Sequence, residues 1–134
     1  MRVTVFDVDG DFVRADVRPE PRMDVEPRWQ SEPLEGVRIH RIERRAGVEL
    51  QLVEIAKGGR FAMHSSPGVA FCQVVTGAGK LGLPGERWIE YRGPETYVFH
   101  PHTRHDWHDI GEDTLLAVAI LDDDIAADQP GTEE

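Results

Sequence analysis

The segment YVFHPHTRHDWHD, from Tyr97 to Asp109, carries the pattern that decides the fold. It contains four of the six histidines of the chain, His100, His102, His105 and His108. The pattern predicts a strand, a tight turn at the proline and a second strand. Neutral imidazole is a frequent transition-metal ligand and the usual proton carrier near pH 7. This segment is therefore the first candidate for the site of chemistry.

Short β-prone segments recur along the whole chain. They cover residues 2–8, 37–42, 49–56, 68–75, 80–83, 87–91, 96–100, 105–109 and 114–121, and clusters of Gly, Pro and Asp separate them. No long segment shows an apolar period of 3.6 residues, which would indicate a helix. The sequence therefore predicts an all-β protein, either a barrel or a sandwich.

The N-terminal part of the chain has a different composition. Four of the nine prolines lie between Val17 and Pro33, which predicts an extended arm. A strand pair with its turn at residues 9–11 precedes the arm, and we expect it to pack against the barrel or against a second subunit. The predicted organisation is the strand pair and arm at 1–36, the barrel at 37–123 and a disordered acidic tail at 124–134.

Composition limits the classes of partner. With 134 residues, 40% of them hydrophobic, the chain is long enough for one domain with one core. The formal net charge of -10 argues against nucleic acid and anionic membranes as partners. No apolar run approaches the ~20 residues of a membrane span, and no secretory signal is visible at the N-terminus. We therefore expect a soluble, cytoplasmic protein.

Two motifs make the chain similar to the cupin superfamily. The first cupin motif, G-x5-H-x-H-x3-E-x6-G, matches in spacing at Gly58, His64, Ser66, Ala70 and Gly77. The second, G-x5-P-x-G-x2-H-x3-N, falls on Pro94, His100, His102, His105 and Asp109. The resemblance covers residues 37–121. It implies a cupin-type double-stranded β-helix, or jelly-roll barrel, with a metal or substrate site inside.

The first motif departs from the cupin pattern. In metal-binding cupins, two histidines and a carboxylate of the first motif and one histidine of the second hold the metal ion. Here only His64 and His105 occupy these positions, because Ser66 and Ala70 replace the other two ligands. Catalytic metal sites generally keep three protein ligands. The resemblance therefore implies a divalent metal (Fe, Zn, Mn or Ni) only if another side chain supplies a third ligand.

Strand alternation nominates side chains for the pocket. If Ala70 takes the inward carboxylate position, Cys72 also faces inward, where its thiol is one candidate for the third ligand. The same alternation predicts that one face of the second histidine strand carries His105, Trp107 and Asp109. His108 then points the other way, as a surface histidine.

The turn histidines leave alternatives open. His100 and His102 flank Pro101, where alternation does not fix the direction of a side chain. Each either bends into the pocket mouth, as a ligand or acid/base group, or is a solvated loop residue. We take as metal ligands His64, His105 and His100, and as catalytic candidates His100, His102 and His105.

Further residues complete the predicted pocket. The substrate-binding candidates are Arg60, Ser66, Cys72, Tyr97 and Trp107. Other aromatic residues form its apolar wall or belong to the core, namely Phe61, Phe71, Trp88, Tyr91 and Phe99. Arg60 and Arg104 lie near the predicted mouth, where they pair with a substrate carboxylate or are merely solvated.

The resemblance implies two classes of function. One is a metal-assisted enzyme with isomerase, cyclase or lyase-like proton transfer on a carbonyl- or carboxylate-bearing metabolite, with a cupin dioxygenase as the alternative. The other is a non-catalytic small-molecule-binding or sensor cupin that has lost its metal site. The resemblance and the isolated N-terminal strand pair also imply a homodimer.

Overall fold

The computed structural model describes residues 1–126; residues 127–134, most of the predicted tail, lie outside the described residues. Within 1–126 the chain forms eleven β-strands and no helix. The strands are β1 (Val3–Asp9), β2 (Phe12–Arg18), β3 (Asp24–Val25), β4 (Arg28–Trp29), β5 (Glu32–Pro33), β6 (Glu35–Arg45), β7 (Val48–His64), β8 (Val69–Leu83), β9 (Arg87–Arg92), β10 (Glu95–Phe99) and β11 (His105–Leu121). The all-β prediction is confirmed.

One large antiparallel sheet contains seven of these strands. Its order is β10-β8-β11-β7-β6-β3, and β9 also pairs with β8. The first part of β8 pairs with β10 and its last part with β9. Each long strand therefore serves both halves of a double-layered jelly roll, with the core between the layers.

The predicted strand boundaries differ from the observed ones at the bends of long strands. Segments predicted as separate at 68–75 and 80–83 form one strand, β8, and those at 105–109 and 114–121 form β11. Glycine clusters mark bends here and do not end the strands. Gly77 has a φ of 114° and packs so closely on Thr114 that a methyl group would collide with it. Register shifts in β11 between His108 and Leu116 accommodate the same bend.

Alternating residues of the long strands build the core. On β8, Ala70, Cys72 and Val74 are buried while Phe71 and Gln73 are exposed, as the alternation predicted. Trp107 of β11 lies at the centre, 1% exposed. It contacts ring edges from both layers, Tyr91 of β9 at 5.2 Å and Tyr97 of β10 at 6.3 Å between centroids.

The predicted arm is more structured than its prolines indicated. It contains β3, which pairs with β6, and the short hairpin of β4 and β5. The strand pair before it is the hairpin of β1 and β2, with its turn at Gly10 and Asp11 as predicted. None of the described residues belongs to a helix that is long and apolar enough to cross a membrane. The cytoplasmic location and the domain boundaries stay predictions.

Candidate functional site

Two histidines from different motifs face each other across a strand pair. His64, at the end of β7, is the direct antiparallel partner of His105, at the start of β11. Side chains directly opposed on such strands lie side by side, and the two imidazole centroids are 4.3 Å apart. Phe99 stacks on His105 at 3.7 Å, and Phe61 lies 4.3 Å from His64. Aromatic packing therefore fixes both rings.

Backbone carbonyls determine the tautomer of both imidazoles. His64 Nδ1 lies 2.8 Å from the carbonyl oxygen of Ala62, and His105 Nδ1 lies 3.1 Å from that of Thr103. A carbonyl oxygen only accepts hydrogen bonds, so in each ring Nδ1 carries the proton. Each neutral ring then keeps an unprotonated Nε2, available as a base or as a ligand.

Burial keeps both histidines neutral at pH 7. Desolvation, with the nearby His64 as a second cause, lowers the pKa of His105 to about 4. Desolvation also lowers the pKa of His64, while the Ala62 carbonyl and the charge of Asp106 oppose that shift. Protonating one ring disfavours protonation of the other, because the two imidazole centroids are 4.3 Å apart.

The two imidazoles lie in the wall of a narrow cavity between the two layers. The cavity has a volume of about 50 Å³. Its other walls come from β4, β7, β8, β11 and the turn after β7, namely Trp29, Gln51, Val53, Phe61, Ser65, Ser66, Ala70, Cys72, Trp107, Leu116, Val118 and Ile120. Most of this surface is apolar, and none of these residues carries a full charge.

Gln51 is a polar group in this cavity that the sequence reasoning missed. Its side chain is 3% exposed, and its Nε2 has no hydrogen-bond partner. A buried donor without a partner costs about 1–3 kcal/mol, so a native chain seldom keeps one without a function. Alternation along β7 would have revealed it, because Val53 and Ile55 share its face and belong to the core.

Trp29 of β4 is part of the cavity wall and was also missed. Its ring meets Phe61 edge-on at 5.8 Å and His64 at 6.4 Å between centroids. The β4–β5 hairpin is held over the cavity by Gln30, whose Nε2 donates a hydrogen bond of 2.7 Å to the Ser65 carbonyl. The sequence feature that could have indicated this contact is a tryptophan in an otherwise polar, proline-rich arm.

Three of the predicted substrate-binding residues do line the cavity: Ser66, Cys72 and Trp107. The Ser66 hydroxyl accepts a hydrogen bond from the Gly68 amide at 3.1 Å, and its own proton stays available to a ligand. Burial raises the pKa of the Cys72 thiol to about 12, so it is an uncharged thiol at neutral pH.

Other predicted pocket residues lie elsewhere. Arg60 is exposed and is not part of the cavity wall. Tyr97 is half-buried behind Trp107 and is also absent from that wall. Phe71 and Trp88 were wrong as wall residues, since they are 39% and 48% exposed on the outer face of the sheet. The general aromatic pattern did not show on which face each ring lies.

The turn histidines also lie outside the cavity wall. His100 and His102 are both exposed in the turn between β10 and β11. His102 has a φ of 65°, and its amide donates a hydrogen bond of 2.7 Å to the Ser66 carbonyl. The turn therefore closes by its backbone beside the cavity and leaves its two imidazoles in solvent.

The donor set does not fit a metal centre. Among residues 1–126 no group of three or more His, Cys, Asp or Glu side chains is arranged to hold a metal ion. His64 and His105 remain a pair, because His100 is on the solvent side of its turn and Cys72, although it lines the same cavity, does not complete such a group with them. Two imidazoles are one ligand short of a typical catalytic site.

Along β11, inward and outward side chains alternate as predicted only up to the bend that follows His108. His105 and Trp107 are buried and His108 points away, its Nδ1 donating a hydrogen bond of 2.7 Å to Asp106 Oδ1. Asp109, predicted to face inward, is exposed and pairs with Lys80 at 3.1 Å. Its φ of 46° and the register shift that follows interrupt the period of two.

No protein-family model and no curated protein matches the sequence. Solved structures do match its fold. KdgF from Halomonas sp. superimposes with a TM-score of 0.62 at 20% identity, over 76% of this chain and 88% of that one. The polyketide cyclase RemF from Streptomyces resistomycificus superimposes with a TM-score of 0.64 at 14% identity, over 76% of this chain and 74% of that one. A cupin-like protein from Thermotoga maritima superimposes with a TM-score of 0.57 at 17% identity, over 66% of this chain and 69% of that one. The chain has the cupin fold.

Proposed function

We propose that the cavity binds a small uncharged oxygen compound and that His64 moves a proton on it. One observation carries the proposal: the unpartnered amide of Gln51 lies in the same cavity wall as two imidazoles with free Nε2 atoms. Gln51 supplies a hydrogen-bond donor, and His64 and His105 supply acceptors. A ligand that has a carbonyl and an adjacent acidic C–H or hydroxyl group complements this set.

The lining also defines the charge and size of the ligand. Without a cation in the wall, a buried carboxylate would lose its hydration uncompensated. The carbonyl part of our sequence-based expectation therefore has support, and the carboxylate part has none. A volume of about 50 Å³ holds a few water molecules, and thus a ligand of a few heavy atoms.

The proposed reaction is a redox-neutral proton transfer of the isomerase, cyclase or lyase type. The Gln51 amide donates a hydrogen bond to the carbonyl oxygen of the ligand. His64 Nε2 takes a proton from the adjacent carbon, the electron pair of the broken C–H bond forms the C=C bond of an enolate, and the π pair of the carbonyl moves onto its oxygen. The proton then returns from His64 to the carbon or to another atom of the ligand. His64 is the base because it is less buried than His105, which is 3% exposed, so its imidazolium form is the better solvated of the two.

The proposal requires no metal. The resemblance to cupins implied a divalent ion at His64, His105 and His100, and the donor set lacks the third ligand. The dioxygenase alternative loses support for the same reason, because oxygen activation generally needs a three-ligand site with open positions. A stoichiometric metal in purified protein, lost in both His64→Gln and His105→Gln, would contradict this part of the proposal.

A non-catalytic binding protein is the second candidate. Its support is the narrow, largely apolar cavity beside Trp29, which is able to hold a small ligand without converting it. For the enzyme, the support beyond the cavity is that RemF, which shares the fold, is by name a polyketide cyclase. At 14% identity that likeness concerns the fold and does not identify a substrate.

Hydrogen exchange into a small ketone separates the two candidates. Hydroxyacetone offers a carbonyl, a hydroxyl and exchangeable C–H groups on a few heavy atoms. For the enzyme, we expect its C–H signals to disappear in D2O faster with the wild-type protein than with His64→Gln. The matched control is His108→Gln, a histidine on the outer face of the same sheet. Binding without accelerated exchange would favour the binding protein. The absence of both binding and accelerated exchange would contradict both candidates.

A further inference from the structure

The outer side of the large sheet carries a second concave site, an open groove beside the hairpin of β8 and β9. Its volume is about 480 Å³, within the range of small-molecule sites. We call it the outer groove. Its walls share no residue with the walls of the inner cavity. A change in the outer groove therefore leaves the inner cavity and its histidine pair intact.

A glycine forms the floor of the outer groove. Gly82 of β8 is the direct cross-strand partner of Asp106 on β11 and of Trp88 on β9. Residues opposed in this way share one face of the sheet. Because Gly82 has no side chain, a gap stays open between the carboxylate and the indole. A methyl group at Gly82 would collide with Asp106 Oδ1, so only glycine leaves room for this carboxylate.

The carboxylate on one side of the gap is held in place. The Asp106 side chain is only 13% exposed, and its Oδ1 accepts a hydrogen bond of 2.7 Å from His108 Nδ1. A carboxylate has about four acceptor sites, so this contact leaves Oδ2 with capacity for a ligand. The side chain therefore presents a fixed acceptor to the groove.

The indole on the other side of the gap is a large aromatic surface outside the core. Trp88 is 48% exposed. Lys80 Nζ lies over its ring, 4.2 Å from the centroid, and pairs with Asp109 at 3.1 Å. This cation contact holds the orientation of the ring. The rest of the ring is open to the groove.

The charged side chains of the outer groove balance one another. Arg87 and Arg104 contribute two guanidinium groups, and Glu86 and Asp106 contribute two carboxylates. Arg87 Nε donates a hydrogen bond of 3.1 Å to the Pro84 carbonyl, which leaves its two terminal nitrogens as donors. An anion would meet the carboxylates and a cation the guanidinium groups. The groove therefore favours an uncharged ligand that both donates and accepts hydrogen bonds.

We propose that the outer groove binds a neutral saccharide. A pyranose has a face of C–H groups, which packs on the negative face of an indole. Its rim carries hydroxyl groups, each of which donates and accepts hydrogen bonds. The sugar ring lies on Trp88, and one of its hydroxyl groups donates to Asp106 Oδ2. Other hydroxyl groups accept hydrogen bonds from Arg87 and Arg104, and those that face out of the open groove stay hydrated.

The test is an NMR titration of the wild-type protein with three neutral disaccharides, cellobiose, maltose and lactose. The three tryptophans of the chain provide an internal control. Trp88 lies in the outer groove, whereas Trp29 and Trp107 line the inner cavity. We expect at least one sugar to shift the indole N–H signal of Trp88 saturably and to leave the other two unchanged.

Matched variants test the two sides of the gap. The backbone amide of Gly82 reports the affinity in each variant. We expect Trp88→Ala and Asp106→Asn each to weaken the binding about tenfold, through loss of the ring contact and of the charged acceptor. Phe12→Ala is the control, because it truncates an aromatic residue that is 76% exposed on the N-terminal hairpin, and it should keep the wild-type affinity. Circular dichroism verifies that the variants are folded.

Four results would overturn the proposal. The absence of a Trp88 shift with all three sugars would show that the groove is not a saccharide site. Shifts at Trp29 or Trp107 without one at Trp88 would place the sugar in the inner cavity. Equal affinities of the wild type, Trp88→Ala and Asp106→Asn would place it elsewhere on the surface. Binding of glucose 6-phosphate but of none of the neutral sugars would identify an anion site.

Discussion

Lowering the pH from 7 to 4 should destabilise this protein through the buried pair of histidines. In the unfolded chain His105 has an ordinary pKa of about 6.5, whereas in the folded protein burial and His64 lower it to about 4. Above pH 6.5 both states are neutral at this residue and the full stability is present. Below it the unfolded state binds a proton that the folded state does not, so the stability falls until the pH reaches about 4.

The difference between the two pKa values sets the size of this effect. At 1.36 kcal/mol for each pKa unit, His105 alone removes about 3 kcal/mol between pH 6.5 and pH 4. Urea unfolding at half-unit pH steps measures it, with His105→Gln as the reference, because all carboxylates then cancel in the difference between the two proteins. We expect the variant to lose about 3 kcal/mol less than the wild type over this range. If the free energy of unfolding depends on pH in the same way in the wild type and in His105→Gln, His105 is not buried in its neutral form.

Further predictions concern the cavity and the core. Gln51→Leu removes the unpartnered amide, so it should raise the free energy of unfolding by about 1–3 kcal/mol in urea titrations while abolishing hydroxyacetone binding; a destabilised variant would indicate a partner for the amide. Trp107→Ala should cost about 3–5 kcal/mol, because a ring that is 1% exposed between the layers leaves a cavity; a loss below 1 kcal/mol would contradict the core assignment. Treatment with EDTA should leave both the melting temperature and hydroxyacetone exchange unchanged, and a drop in either would show that a metal contributes.

The sequence was sufficient for the fold where its patterns are local and regular. Alternation on β8 correctly placed Ala70, Cys72 and Val74 inside. The motif spacing nominated His64 and His105, and the structure places these two residues as direct cross-strand partners; their role in a site stays a prediction. A period of two survives only while the strand is regular. At Asp109 a positive φ breaks the period, and the predicted inward carboxylate is outside.

The cavity was harder to predict because its composition depends on contacts that are distant in sequence. Trp29 reaches His64 from a short hairpin in the arm, thirty-five residues earlier in the chain. His100 lies in a turn, where no periodicity fixes the direction of a side chain, and it points to solvent. The burial of Gln51 could have been predicted, because it lies two residues before Val53 on the same face of β7. Its role could not, because a glutamine side chain alone does not indicate a catalytic or binding site.

The most direct test of the central proposal is an NMR titration of the wild-type protein with hydroxyacetone. The signals to follow are the Gln51 side-chain amide and the imidazoles of His64 and His105, with His108 on the outer face as the internal reference. We predict saturable shifts at Gln51, His64 and His105, none at His108, and loss of the response in Gln51→Leu. Shifts that spare Gln51 and the histidine pair, or that persist unchanged in Gln51→Leu, would contradict a functional site in this cavity.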